Sequence, residues 1–191
     1  MRIGTAIAAL LLTIGLPGLA AEEAPREMVT DRPDQTESAW VVPKGYVQLE
    51  AGYYHGSDDL DSDAFPELLV RIGLVRKLEL RVVYQGYQWQ EEPGGGSDDG
   101  WGDGGLGIKY EFAAGEGVRP AISLIAGASM PAGQTKFSSG RPDPSILLSM
   151  AHDLTSRVSL GYNFGPVWNT SEETPGDEDT LASFRWTAAL G

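Results

Sequence analysis

The chain has no cysteine, two histidines, and only 14 lysines and arginines against 27 acids. Without cysteine there is no disulfide staple, which an exported chain of this size does not need if its backbone bonds close into a sheet. A net charge of −13 argues against nucleic acid as a partner, because phosphate repels it. The two histidines, His55 and His152, fall at opposite ends of alternating segments and cannot share one site. An acid–base or nucleophilic centre would have to be built on His55 with Asp58 or Asp59 alone, so no catalytic residue is assigned and the chain is read as a non-enzyme. After residue 16 no stretch is continuously apolar, which excludes helical membrane insertion. A soluble periplasmic chain, a secreted one and a membrane β-barrel remain, the last with its lipid face hidden in alternation.

At the N-terminus, Met1 and Arg2 precede an apolar run over residues 3–16, a Pro17-Gly18 break and a small-residue site before Ala21. This pattern reads as a cleaved secretory signal over residues 1–20, the apolar run being too short to span a bilayer. Residues 21–44 follow as a periplasmic segment, and alternation at period 2 begins at Gly45. Val47, Leu49, Ala51 and Tyr53 oppose Gln48, Glu50 and Gly52; Leu68, Val70, Ile72 and Leu74 oppose Glu67, Leu69, Arg71 and Gly73. Leu78, Leu80, Val82 and Tyr84 then oppose Glu79, Arg81, Val83 and Gln85, and Leu106, Ile108, Tyr110 and Phe112 alternate with Gly105, Gly107, Lys109 and Glu111. Four further segments are centred on Ile122 to Ala128, Ile146 to Met150, Leu160 to Phe164 and Ala182 to Trp186. The spacing predicts eight strands joined by alternately long and short connections, an all-β, antiparallel transmembrane β-barrel over residues 45–191. An open sheet would leave two unpaired edges, and the chain ends at the short turn after the eighth strand, as expected of a barrel truncated at its C-terminus or of an unusually small one.

The two faces differ in chemistry. Tyr53, Tyr54, Tyr84, Tyr87, Trp89, Trp101 and Trp168 gather toward the long-loop ends, and Tyr46, Tyr110 and Phe112 toward the short-turn ends, as two interfacial belts. A soluble sandwich would place such aromatics in its core. Glu50, Glu67, Arg71, Glu79, Arg81, Lys109, Glu111 and Arg185 share the polar face, where a barrel has its lumen. Mixed charges there either tune a channel or form a network filling a closed barrel. Acids crowd the long loops, as solvated charge or as divalent-cation bridges to lipopolysaccharide.

Three look-alikes carry no chemistry. Gly102, Gly104 and Gly107 spell a dinucleotide fingerprint but precede a strand, which has no helix N-terminus to hold a pyrophosphate. Asp59, Asp61 and Asp63 begin like a calcium loop, but Ala64 and Val70 stand where the turn glycine and closing acid belong. Asn169-Thr170-Ser171 fits a glycosylation acceptor, without meaning in a bacterial plan. Neither a metal nor a cofactor is expected.

Thr30-Asp31-Arg32-Pro33-Asp34-Gln35-Thr36, the Glu67-Leu68-Leu69-Val70-Arg71 strand, Leu78-Glu79-Leu80-Arg81, and Gly102-Asp103 before Gly105-Leu106-Gly107-Ile108-Lys109-Tyr110 together resemble one family. It comprises the outer-membrane proteins grouped under a MetA pathway of phenol degradation, also described as fatty-acid porins. The resemblance implies an outer-membrane conduit for small hydrophobic, aromatic or fatty-acid-like molecules. It also marks Asp31, Arg32, Pro33, Asp34 and Thr36 as a motif that tucks against or into the barrel from the periplasm, with Arg32 facing Glu50 or Glu67. The competing expectation is a small barrel with a solid lumen and a structural or surface-binding role. Expected partners are outer-membrane lipid, lipopolysaccharide and the hydrophobic cargo; ligand identity and oligomeric state are not legible.

Overall fold

Period-2 alternation commits most of the chain to strands, and the backbone pairs nearly all of them in sequence order. The computed structural model describes residues 10–15, 28–31, 36–57, 61–91, 94–116, 119–155, 157–174 and 177–191, without the side chains of 10–15 and 171–179. Strands β1 (Leu10–Gly15), β2 (Tyr46–Ser57), β3 (Asp61–Val75), β4 (Leu78–Tyr84), β5 (Tyr87–Glu91) and β6 (Ser97–Trp101) form the first half. β7 (Gly104–Glu116), β8 (Arg119–Met130), β9 (Pro144–Asp153), β10 (Ser159–Thr174) and β11 (Asp177–Leu190) form the second, with one 3-10 turn at Thr135–Phe137. All ladders are antiparallel, in the order β1-β2-β3-β4-β7-β8-β9-β10-β11, and the sheet curls as a half-barrel. Among the described residues no ladder joins β1 to β11, and no helix is long and apolar enough to cross a membrane.

The eight expected strands correspond to β2, β3, β4 and β7 to β11. Three differences have local causes. Residues 55–57 and 61–64, in the acidic stretch after Tyr54, are strand rather than loop, because Tyr54 to Ser57 stay paired with Asp61 to Ala64. The glycine- and aspartate-rich stretch after Tyr84 holds a hairpin: β5 pairs with β6 and with the far end of β3. Its strand character comes from Tyr87, Trp89 and Trp101, while Gly94 and Gly95, both at positive φ, permit the turn. The third addition is β1, which lies antiparallel to β2 with Leu12 opposite Leu49.

The sheet is inside-out relative to a water-soluble protein. Arg71, Glu79 and Lys109 are 1%, 0% and 0% exposed, whereas Leu106 and Phe112 are each 53% exposed. Each pair of neighbours in a strand splits between the two faces, so the charged residues line the concave side and the apolar ones the convex side. Outside the charged centre the concave face carries two small apolar clusters: Ala39, Ala121 and Ala151 near the short turns, and Ile125, Leu147 and Val167 above them.

Candidate lumen site

Register decides which inward side chains meet. Arg71 on β3 stands directly opposite Arg81 on β4, and Glu79 opposite Lys109 on β7. Two arginines facing each other across a ladder repel, and a buried guanidinium tolerates this only with carboxylates on its donors. Glu79 supplies one, accepting from Arg71 Nε at 3.0 Å and from Arg81 at 2.9 Å. Glu50 on β2 supplies another, 3.3 Å from Arg71. The third comes from outside the sheet. Asp31 enters the concave side and places Oδ2 at 2.6 Å from Arg81, 2.8 Å from Lys109 Nζ and 3.4 Å from Arg71.

Asp31 therefore joins all three cations at one point. Burial works against its ionised carboxyl, but Lys109, Arg71 and Arg81 outweigh burial and hold it well below the ordinary carboxylate value. Glu37 behaves differently. Its carboxyl accepts from Arg81 and leaves a quarter of its side-chain surface open, yet burial and the nearby Asp31 charge push it up against the pull of Arg81.

The chain around these two acids is held mainly by its main chain. Asp31 N–H donates to Glu50 at 2.8 Å, and Val42 N–H to Glu79 at 2.7 Å. Arg71 donates to the carbonyls of Val29 and Trp40, and Lys109 to that of Ser38. Ser149 and Asn163 both donate to the Glu37 carbonyl at 2.8 Å, and Ser123 to that of Ala39. Gly73 provides the clearance: a Cβ there would strike the Val42 and Pro43 carbonyls. Residues 28–31 and 36–44 thus occupy the short-turn end of the concave side.

Above them the space is open. A cavity of about 560 Å³ lies between Glu37 and Arg81 below and residues 136–139 above. On one side its wall is nearly bare backbone, since Gly105, Gly107 and Gly127 fall on inward positions of β7 and β8. On the other it is apolar, formed by Ile125, Leu147 and Val167. The connection 131–143 folds inward as a roof because buried Asp103 accepts from the N–H groups of Ala132, Gly133 and Ser139 at 2.9 to 3.1 Å. Asp143 pins its other end through the Thr170 N–H and hydroxyl.

Of the residues marked in the sequence, Glu50, Arg71, Glu79, Arg81 and Lys109 meet in the network with Asp31. Thr36 is buried beside Gly161, Glu111 is buried lower on β7, Glu67 is half-buried near Gly52, and Arg185 lines the cavity wall from β11. Arg32, Pro33 and Asp34 lie outside the described residues, so the pairing of Arg32 with Glu50 or Glu67 does too; the Glu50 carboxylate is taken by Asp31 N–H, Gln48 and Arg71. Sequence reasoning missed Glu37, Asp103 and the row Ser123, Ser149 and Asn163. That row had a signal, as three small polar residues at inward positions and, as the ladders show, one register level. His55 pairs with Asp63 at 2.9 Å and His152 with Tyr162 at 3.1 Å, at opposite ends of the sheet. Among the described residues no group of three or more His, Cys, Asp or Glu side chains could hold a metal.

The model of the family described as "Putative MetA-pathway of phenol degradation" matches residues 30–191, from the edge of the inserted segment through β11. The chain belongs to this family. The glycine-walled cavity and all of the lumen-filling segment except residues 28 and 29 lie within the stretch that matches the phenol-degradation family. No curated protein and no solved structure matches the chain.

Proposed function

We propose that the protein is an outer-membrane barrel that conducts or binds small hydrophobic molecules, exported through a signal whose cleavage after residue 20 removes β1 and leaves β2 to β11. The observation carrying this reading is the open cavity, a largely polar space that carries one apolar strip formed by Ile125, Leu147 and Val167. The inside-out face supports the membrane assignment, since exposed Leu106, Ile108, Phe112, Phe184 and Trp186 suit lipid rather than water. Strands of 12 to 16 residues in β2, β3, β8 and β10 exceed the roughly 9–11 needed to cross a bilayer at a tilt. The short turns then face the periplasm, the long connections face outward, and residues 28–31 and 36–44 plug the periplasmic end. The family's printed link to phenol degradation fits an aromatic cargo. No catalytic role is assigned.

The packed charge network favours a second reading, a closed barrel whose acidic outer loops interact with lipopolysaccharide. Reconstitution separates the two. Discrete conductance steps in planar bilayers, or faster entry of an apolar probe into proteoliposomes, are the outcome for a conduit. Silence from a folded, full-length barrel, verified by heat-modifiable gel mobility, selects the closed one.

A further inference from the structure

The cavity carries one cation that no described residue of the lumen neutralises. Arg81 is taken by Asp31, Glu37 and Glu79, and Lys136 on the roof pairs with Asp98 at 2.6 Å. The carboxylates are occupied as well: Asp103 by the roof N–H groups, Asp143 by Thr170, Glu37 by Arg81. Arg185 alone among the cavity's cations has no hydrogen bond or ion pair among the described residues, and it lines the same space.

Its place in the register sets its neighbours. Arg185 stands opposite Gly165, which has no side chain and lies against Leu147; Leu147 in turn stands opposite Ile125. A guanidinium therefore heads a row whose next members are bare backbone and two aliphatic side chains, with Val167 one step above. The bare wall of Gly105, Gly107 and Gly127 gives a flat body room to lie against the sheet.

We infer that this is a binding site for a compact amphipathic monoanion, its carboxylate on Arg185 and its apolar body along Leu147, Ile125 and Val167. The inference rests on the conduit reading and narrows its cargo from hydrophobic molecules in general to those with one acidic head. A charge-assisted, two-pronged bond to a guanidinium is the interaction that a neutral isostere forfeits.

The test uses the full chain in lipid nanodiscs, with empty nanodiscs as the partition blank, titrated calorimetrically with benzoate and with benzyl alcohol at pH 7. Benzoate is expected to bind at least about tenfold more tightly, the size of one good charged hydrogen bond. Arg185→Gln should abolish that preference while leaving benzyl alcohol unchanged, and Arg185→Lys should keep part of it. Equal binding of the two probes to the unaltered protein overturns the assignment without help from any variant. A preference that survives Arg185→Gln overturns Arg185 as the anchor. Absence of binding by both probes overturns the cavity as a cargo site, while the conduit reading itself stands or falls on the conductance and uptake measurements.

Discussion

The two ends of the concave side are built by the same strands and solve opposite problems. Toward the short turns, β2, β3, β4 and β7 project Glu50, Arg71, Glu79, Arg81 and Lys109, and the space between is filled by residues 28–31 and 36–44. Toward the long connections, β7 and β8 project glycine, and the space stays open. Filling and emptiness thus alternate along one strand: in β7, Lys109 is buried in the network two residues from Gly107 at the cavity wall. A barrel interior is set residue by residue at every second position, so a site and its stopper need no separate domains.

The largest break in this contrast should come from Asp31→Ala. It leaves Arg71, Arg81 and Lys109 short of an anion in a buried setting, with an expected loss on the order of 3–5 kcal/mol of seating energy. Limited trypsinolysis at Lys44 would report the released segment, and bilayer conductance would rise. The opposite end is sharpened by Val83→Trp, which places an indole in the cavity. Probe uptake should fall by about tenfold with unchanged heat-modifiable mobility; unchanged uptake would mean that cargo does not pass there. Ser149→Ala removes one donor from the Glu37 carbonyl while Asn163 keeps its own, so a loss of about 1 kcal/mol in urea titration is expected.

The two acids of the segment respond to pH in opposite senses. Glu37 holds its proton more tightly when seated than when released, so its contribution is complete below 4.5 and fades as pH rises through its raised value. For Asp31 the contribution is complete above 3.8 and is lost as pH falls through its depressed value. Protection from trypsin-like cleavage should therefore peak in mildly acid solution, and Glu37→Gln should flatten only the alkaline limb. The smallest effect is expected for Lys136→Ala at the exposed rim, within about 0.5 kcal/mol by thermal scan.

Much of the wall was legible in the sequence because period-2 alternation is a local signal. Reading Glu79 and Arg81 onto one face requires only that they stand two apart, and the inward charges follow in the same way. The seat of residues 28–31 and 36–44 was not legible in that sense. The contact of Asp31 with Lys109 spans 78 positions and depends on Arg71 and Arg81 landing opposite each other, a register set by turns. The hairpin of β5 and β6 was masked by glycine and aspartate, whose low strand propensity is overridden by pairing with β3. The inward roof was hidden too, since nothing local marks Asp103 as the acceptor for a chain nearly thirty residues downstream.

The inserted segment is gripped largely by its carbonyls, those of Val29, Glu37, Ser38, Ala39 and Trp40. Carbonyls are common to every amino acid, so the barrel recognises the path of this stretch more than its spelling. Drift in its side chains should be forgiven wherever Asp31 and the clearance over Gly73 are kept. A synthetic peptide spanning this stretch and keeping Asp31 should then dock, in trans, into a barrel from which the stretch has been deleted.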